Sequence, residues 1–108
     1  MINLMAKAIS PGIIELKENK VPSLMDTQVL IKIKASSICG SDLHIYKGKH
    51  PSAPLPVAIG HELSGDVIAV GTKVNKVKVG DRVTVEPVIA CGECPYCQKG
   101  EYGYCVSL

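Results

Sequence analysis

The sequence predicts a mainly β fold, a small antiparallel barrel with a loop lobe and one or two short helices. The chain of 108 residues contains ten Gly and seven Pro but neither Phe nor Trp. Its core must therefore be built from Val, Ile, Leu and Ala, and its backbone turns often. Short runs of β-branched residues recur at close spacing, while no helical period persists beyond about ten residues. These two observations favour β structure over helices.

The strand with the clearest pattern is predicted over residues 29–35. Ile31 and Ile33 alternate there with Lys32 and Lys34, at the period of two that separates a buried face from a solvated one. We expect the isoleucine face to be buried and the lysine face to be exposed. Shorter strands are predicted over residues 6–10, 13–17, 67–70, 76–79 and 82–87.

One helix and one surface loop are predicted between the strands. The helix covers residues 40–46, about two turns. The loop covers residues 50–56, where three of seven positions are proline, a residue with no amide hydrogen to donate. The glycines of the barrel are interpreted as turn and bulge residues, not as phosphate-binding positions. They are Gly60, Gly65, Gly71 and Gly80.

Charge and hydropathy exclude two classes of partner. Twelve Lys and Arg against ten Asp and Glu give a net charge of +2, and the lysines form no basic stripe, so we expect no nucleic-acid binding. No apolar run approaches the roughly 18 residues of a transmembrane helix, and the opening residues lack a signal-peptide pattern. We expect a cytoplasmic protein without a membrane partner. Its five cysteines are then reduced thiols available for metal binding.

The most specific motif is a C-x2-C-x2-C-x7-C run near the end of the chain. Its members are Cys91, Cys94, Cys97 and Cys105. Four thiolates surround zinc tetrahedrally and leave no open position for a substrate, so the run predicts a structural zinc site in a zinc-binding loop lobe. Iron–sulfur binding is an alternative, although a ferredoxin run has its fourth cysteine after three residues and followed by proline. A redox-active disulfide is a third interpretation, without the helix-start context that such pairs have.

A second group of metal-ligand residue types lies between the predicted strands. It consists of Cys39 and the pair His61 and Glu62. Three protein ligands with one position left open are typical of a catalytic zinc, which acts as a Lewis acid on a bound oxygen. Taken by themselves, a buried thiol and a surface imidazole explain the same residues.

Several motifs occur in one order along the chain and together resemble a known family. They are Cys39-Gly40-Ser41-Asp42-Leu43-His44, Gly60-His61-Glu62, Gly80-Asp81-Arg82-Val83 and the four-cysteine run. The chain resembles the zinc-dependent medium-chain alcohol dehydrogenases over nearly its whole length. The resemblance implies that residues 1–108 are the GroES-like catalytic domain of that family, with a structural-zinc lobe at about residues 86–108.

The resemblance also implies roles for the second group of ligand types. Cys39 and His61 correspond to catalytic-zinc ligands, and Glu62 corresponds to a glutamate that ligates directly or stays nearby and exchanges with water. Asp42 corresponds to the carboxylate that orients the histidine ligand, since a metal-bound imidazole commonly donates its other N–H to a carboxylate. The alternative for Asp42 is a helix N-cap.

Oxidation of an alcohol is the reaction that the resemblance implies. Zinc lowers the pKa of the substrate alcohol, Ser41 and His44 carry the proton to solvent, and a hydride passes to NAD or NADP. Taken alone, His44 is better explained as a surface histidine. Gly40, where some members have arginine, is more similar to the threonine and polyol dehydrogenases than to the short-alcohol branch.

A nicotinamide-binding region is not recognisable in these residues. The chain has no Gly-x-Gly-x-x-Gly motif after a strand and no room for a βαβ unit. We therefore expect the Rossmann domain, the remaining catalytic-zinc ligand and a homo-oligomeric assembly in a longer polypeptide, and no activity from these residues alone. The alternative is a stand-alone zinc-binding module for assembly, similar to the co-chaperonin that shares the fold.

Overall fold

A computed structural model describes all residues, 1–108, and contains six strands and two short α-helices. The strands are β1 (Ile2–Ser10), β2 (Ile13–Lys20), β3 (Val29–Ser37), β4 (Val57–Ala58), β5 (Glu62–Val70) and β6 (Arg82–Thr84). The helices are α1 (Gly40–Tyr46) and α2 (Pro95–Gln98), and a 3-10 turn follows at Tyr102–Tyr104. Neither α-helix has the length and hydropathy needed to cross a membrane. The prediction of a mainly β fold with short helices is confirmed.

The strands form two antiparallel sheets of three strands each, in the orders β2-β1-β4 and β3-β5-β6. A tight turn joins β1 to β2, and Gly12 has a φ of +80° there, a conformation that glycine adopts without steric cost. The long β3-β5 pair runs from Val29 opposite Val70 to Ser37 opposite Glu62. This register brings the end of β3 beside the start of β5.

All six predicted strands differ from the observed ones in their bounds. β1 begins four residues earlier than predicted, and β2 and β3 extend three and two residues further than predicted. The strand expected over residues 76–79 is wrong, because Asp81 accepts hydrogen bonds from the backbone N–H and the ammonium of Lys78, at 3.0 and 2.6 Å. This turn occupies the groups that a strand would pair. β6 ends at Thr84, before Pro87, which has no N–H for a ladder. β5 begins five residues earlier than predicted, because Leu63 and its neighbours pair with β3 despite a weak alternating pattern.

Few side chains are fully buried, and the predicted burial of one face of β3 is only partly correct. The lysine face is exposed as expected, and Ile31 is half-buried, but Ile33 is 57% exposed. Ile33 lines an open groove of about 810 Å³ between the two sheets, together with Met1, Met5 and Ile68. The alternation therefore selects the correct face, but no residue of this chain covers it.

Two glycines allow backbone segments to approach closely. A Cβ on Gly65 would collide with the carbonyl of Lys32 on β3, and a Cβ on Gly71 would collide with the carbonyls of Met25 and Asp26. Both glycines are buried. Their role is therefore packing of β5 and its end against neighbouring backbone, in agreement with the structural interpretation of these residues.

Candidate metal centres

Cys39, His61 and Glu62 converge at one end of the β3-β5 sheet, and we call them the three-ligand centre. Cys39 lies between β3 and α1, while Glu62 begins β5 and His61 precedes it. The antiparallel register joins these segments, since Ser37 is opposite Glu62. One potential ligand atom from each of the three residues lies within 4.8 Å of the others. The structure thus brings together the three residues that the sequence separates.

Asp42 connects α1 to this centre. It is buried, and its Oδ2 accepts a hydrogen bond of 3.0 Å from the backbone N–H of Cys39. Cys39 is the N-cap residue, and Asp42 is the third residue of the helix. The alternative that Asp42 is itself the N-cap is therefore wrong, although its carboxylate does cap the helix from inside the first turn.

The second oxygen of Asp42 tests whether a metal fits the centre. Oδ1 lies 3.5 Å from Nδ1 of His61 and is a buried oxygen without a hydrogen-bond partner. Buried polar atoms are rarely left unpaired. A neutral imidazole that ligates a metal through Nε2 carries its proton on Nδ1, which faces this oxygen. The donor set of thiolate, imidazole and carboxylate and the unpaired oxygen both fit zinc.

The remaining carboxylate of the centre belongs to Glu62. Its Oε2 lies 3.9 Å from Nε2 of His61, and its Oε1 accepts a hydrogen bond of 3.2 Å from the hydroxyl of Ser37. Beside it is an open cleft of about 440 Å³. Residues with hydroxyl groups are among those that line this cleft, namely Ser36, Ser37, Ser64 and Thr84. Sequence reasoning missed Ser37, because only the strand register reveals its position.

Ser41 and His44, the two predicted proton carriers, lie on α1. Ser41 is half-buried two residues after Cys39, and His44 is exposed three residues further along. Residues three apart on a helix share a face. The two side chains therefore lie on one side of α1, and the relay between them stays a prediction.

The four cysteines of the C-x2-C-x2-C-x7-C run also converge, and residues 86–108 are called the cysteine lobe. One sulfur from each lies within 4.8 Å of the others, and all are free thiols. Five backbone N–H groups point at sulfur atoms, with N to S distances between 3.3 and 3.5 Å. Donors arranged around thiolates are the environment that a metal-binding loop provides. Mutual proximity of all four sulfurs favours one metal ion over a disulfide pair.

Thiol acidity in the cysteine lobe is uneven. The N–H of Cys97 and other donors lower the pKa of the Cys94 thiol to about 6. The N–H of Cys91 similarly lowers the pKa of Cys105. Burial and the neighbouring thiols raise the pKa of Cys97 to about 12. Without a cation the four thiols cannot all ionise together, because each new thiolate meets the charge of the others.

Apart from the thiols, few contacts hold the cysteine lobe. Cys94 and Cys105 are its only buried residues. Tyr102 donates a hydrogen bond of 2.8 Å to Glu86, and the rings of Tyr96 and Tyr104 are 6.1 Å apart. The carboxylate of Glu86 raises the pKa of Tyr102 by accepting this bond. A lobe with so little buried apolar surface depends on a central cross-link for its shape.

Comparison with known proteins decides the family. The alcohol dehydrogenase GroES-like domain family matches residues 25–108. The chain belongs to this family. Its fold is therefore that of a GroES-like domain, as the resemblance of the motifs predicted.

Named relatives of this GroES-like domain are dehydrogenases. The chain is 51% identical over 86 residues to D-arabitol-phosphate dehydrogenase of Enterococcus avium, covering 79% of the chain and 24% of that protein. It is 47% identical over 93 residues to L-threonine 3-dehydrogenase of Symbiobacterium thermophilum, covering 83% and 26%. A structure titled as a short chain alcohol dehydrogenase from Escherichia coli, complexed with NADH, superposes with a TM-score of 0.85 at 36% identity.

The GroES-like domain spans only part of each relative. It covers 24% to 29% of the length of the first curated relatives, and the alignment with the NADH complex covers 96% of this chain and 30% of that one. The reaction, the cofactor and the substrate of the relatives are properties of those longer proteins.

Proposed function

We propose that residues 1–108 form the zinc-binding catalytic domain of an NAD(P)-dependent dehydrogenase that oxidises an alcohol to a carbonyl. In this proposal the three-ligand centre holds the catalytic zinc, and the cysteine lobe holds a structural zinc. The nicotinamide-binding domain and a further ligand come from polypeptide outside these residues. Both centres need reduced thiols, which supports a cytoplasmic location.

One observation carries the proposal. The three potential ligands lie within 4.8 Å of one another, and the buried unpaired oxygen of Asp42 faces the imidazole of His61. A structural role for Asp42 alone would need only the oxygen that caps α1. The second oxygen has a purpose when the imidazole is fixed as a metal ligand with its proton on Nδ1.

Each residue of the site then has a task in the reaction. A bound zinc supplies Lewis-acid polarisation of the alcohol oxygen. Asp42 holds the orientation and tautomer of His61 by accepting its Nδ1 proton. Half-buried Ser41 accepts the alcohol proton, and exposed His44 passes it to solvent, since imidazole exchanges protons near neutral pH. A nicotinamide bound by the rest of the dehydrogenase would accept the hydride.

A polyol or a polyol phosphate is the substrate class that we favour. The cleft beside Glu62 is open, and three serines and one threonine are among the residues that line it. Hydroxyl groups exchange hydrogen bonds with the several hydroxyls of a polyol. The similarity to D-arabitol-phosphate dehydrogenase supports this class, and the similarity to L-threonine 3-dehydrogenase makes an amino alcohol the alternative.

A covering polypeptide is needed to complete the domain. Ile2, Leu4 and Ile33 are 70%, 60% and 57% exposed, and the groove between the sheets is open along Met1 to Met5. Apolar patches of this extent are typical of interfaces with another chain or segment. They support the proposal that the rest of the dehydrogenase packs on this domain and that these residues alone do not turn over substrate.

Metal counting tests the proposal directly. Native mass spectrometry of the zinc-loaded chain should find two zinc ions, while His61→Ala should retain one. His50→Ala is the matched control and should retain two, since His50 is not part of either cluster. Two ions in His61→Ala would contradict the three-ligand centre.

The same measurement separates the alternatives. One zinc in the unmodified chain, held by the cysteine lobe, would favour a stand-alone zinc module. Iron in the mass spectrum, with a visible absorption band, would favour an iron–sulfur centre. The chain by itself should not reduce NAD or NADP with sorbitol, arabitol phosphate or threonine, and turnover by the chain alone would contradict the need for a second domain.

A further inference from the structure

Ser37 is the last residue of β3 and contacts the three-ligand centre without belonging to it. It pairs with Glu62 across the sheet, so both side chains stand on the same face. The hydroxyl of Ser37 donates a hydrogen bond of 3.2 Å to Oε1 of Glu62. Only one of the two carboxylate oxygens is engaged in this way.

The other oxygen of Glu62 is directed toward the metal side of the histidine. Oε2 lies 3.9 Å from Nε2 of His61, whereas Nδ1 of that ring faces Asp42 at 3.5 Å. Two of the three ligand residues thus have a polar neighbour on the side away from the metal: the carboxylate of Asp42 faces the imidazole, and the hydroxyl of Ser37 binds the carboxylate of Glu62. Glutamate has three rotatable side-chain bonds, and an unrestrained exposed carboxylate samples many rotamers.

We propose that Ser37 is a positioning residue that binds Oε1 of Glu62 and leaves Oε2 as the oxygen available to the metal. This inference rests on the proposed function, because it needs a metal ion at the three-ligand centre. Ser37 restricts the carboxylate before the ion arrives, so that less conformational entropy is lost on binding. Groups that orient metal ligands typically change metal affinity by about 10- to 100-fold when removed.

The affinity of the chain for a second zinc ion provides the test. The chain is first loaded with one equivalent of zinc, which fills the cysteine lobe, and the second equivalent is titrated against a chromophoric chelator. Ser37→Ala should weaken zinc binding at the three-ligand centre by about 10-fold. This value is at the low end of the roughly 10- to 100-fold range, because the Ser37–Glu62 hydrogen bond is exposed. Ser37→Thr keeps the hydroxyl and should restore the affinity. Ser23→Ala is the matched control, since Ser23 is exposed and belongs to neither cluster, and it should leave the affinity unchanged.

A double-mutant cycle shows whether Ser37 acts through Glu62. In a Glu62→Ala background the change Ser37→Ala should have no further effect, since the partner is gone. Cobalt in the second site should also show an altered d–d spectrum in Ser37→Ala and a normal spectrum in Ser37→Thr. Zinc retained in the cysteine lobe and an unchanged circular dichroism spectrum verify that each variant folds.

The outcomes separate this inference from the proposed function. Equal second-ion affinity of Ser37→Ala and the unmodified chain would overturn the role of Ser37 and leave the metal site intact. If Ser37→Ala weakened zinc binding as much in the Glu62→Ala background as in the unmodified chain, the role of Ser37 would also be overturned. Absence of any second ion in the unmodified chain would overturn both.

Discussion

Replacing Cys94 with Ser should strongly destabilise the cysteine lobe. Cys94 is one of two buried residues in that lobe, and its sulfur receives the N–H of Cys97 at 3.5 Å. Serine removes a thiolate from the four-sulfur cluster and cannot replace it as a zinc ligand of comparable strength. The lobe then loses its central cross-link.

The magnitude follows from the coupling of zinc binding to folding. Structural zinc in small domains contributes about 10 to 16 kcal/mol of apparent binding free energy, so each of four ligands accounts for roughly 2.5 to 4 kcal/mol. Buried apolar surface in the cysteine lobe is too small to compensate, because only Cys94 and Cys105 are buried. For a domain of this size the loss corresponds to a decrease in Tm of roughly 10 to 30 °C.

The assay is thermal unfolding of the zinc-loaded chain, combined with limited proteolysis to locate the opening. Cys94→Ser should lower Tm and expose the segment after Glu86 to cleavage. Cys39→Ser is the matched control, since it also removes one thiol but belongs to the other centre, and it should leave the fold nearly intact. An unchanged Tm in Cys94→Ser, or an equal decrease in Cys39→Ser, would refute the reasoning.

Three further predictions concern other parts of the domain. Asp42→Asn keeps an oxygen to cap α1 but places an amide donor near the imidazole of His61. The second zinc should therefore bind about 10-fold more weakly in chelator competition. Unchanged affinity would contradict the role of Asp42 in orienting His61. Gly71→Ala places a methyl group against two backbone carbonyls and should cost about 1–3 kcal/mol in urea unfolding, whereas Gly103→Ala, in open space, should not. The hydrogen bond from Arg82 holds the pKa of Asp66 below its usual value. The Arg82–Asp66 pair therefore stabilises the fold at pH values above the usual carboxyl pKa, and this stabilisation is lost as the pH falls through the lowered pKa of Asp66. Asp66→Asn should make the urea midpoint less sensitive to acid. An acid profile identical to that of the unmodified chain would contradict the stabilising role of the pair.

Prediction from sequence was most successful where local pattern and chemistry coincide. Helix α1 has the predicted bounds, Gly40–Tyr46, because its motif and its short helical pattern indicate the same segment. The cysteine lobe converges as expected, since loop spacing alone can bring four nearby thiols around one ion. It was least successful at the strand expected over residues 76–79, where a turn around Asp81 uses the backbone groups.

The sequence by itself determined the class of fold, the two sets of metal-ligand types and the family, because these depend on residue identity and spacing. The tertiary structure alone decided which atoms face one another. It set Ser37 against Glu62 through the register of β3 and β5 and left one oxygen of Asp42 facing His61. It also left Ile33 uncovered beside an open groove. Long-range strand pairing fixes such relations, and a one-residue change in register would turn every side chain of a strand to the other face.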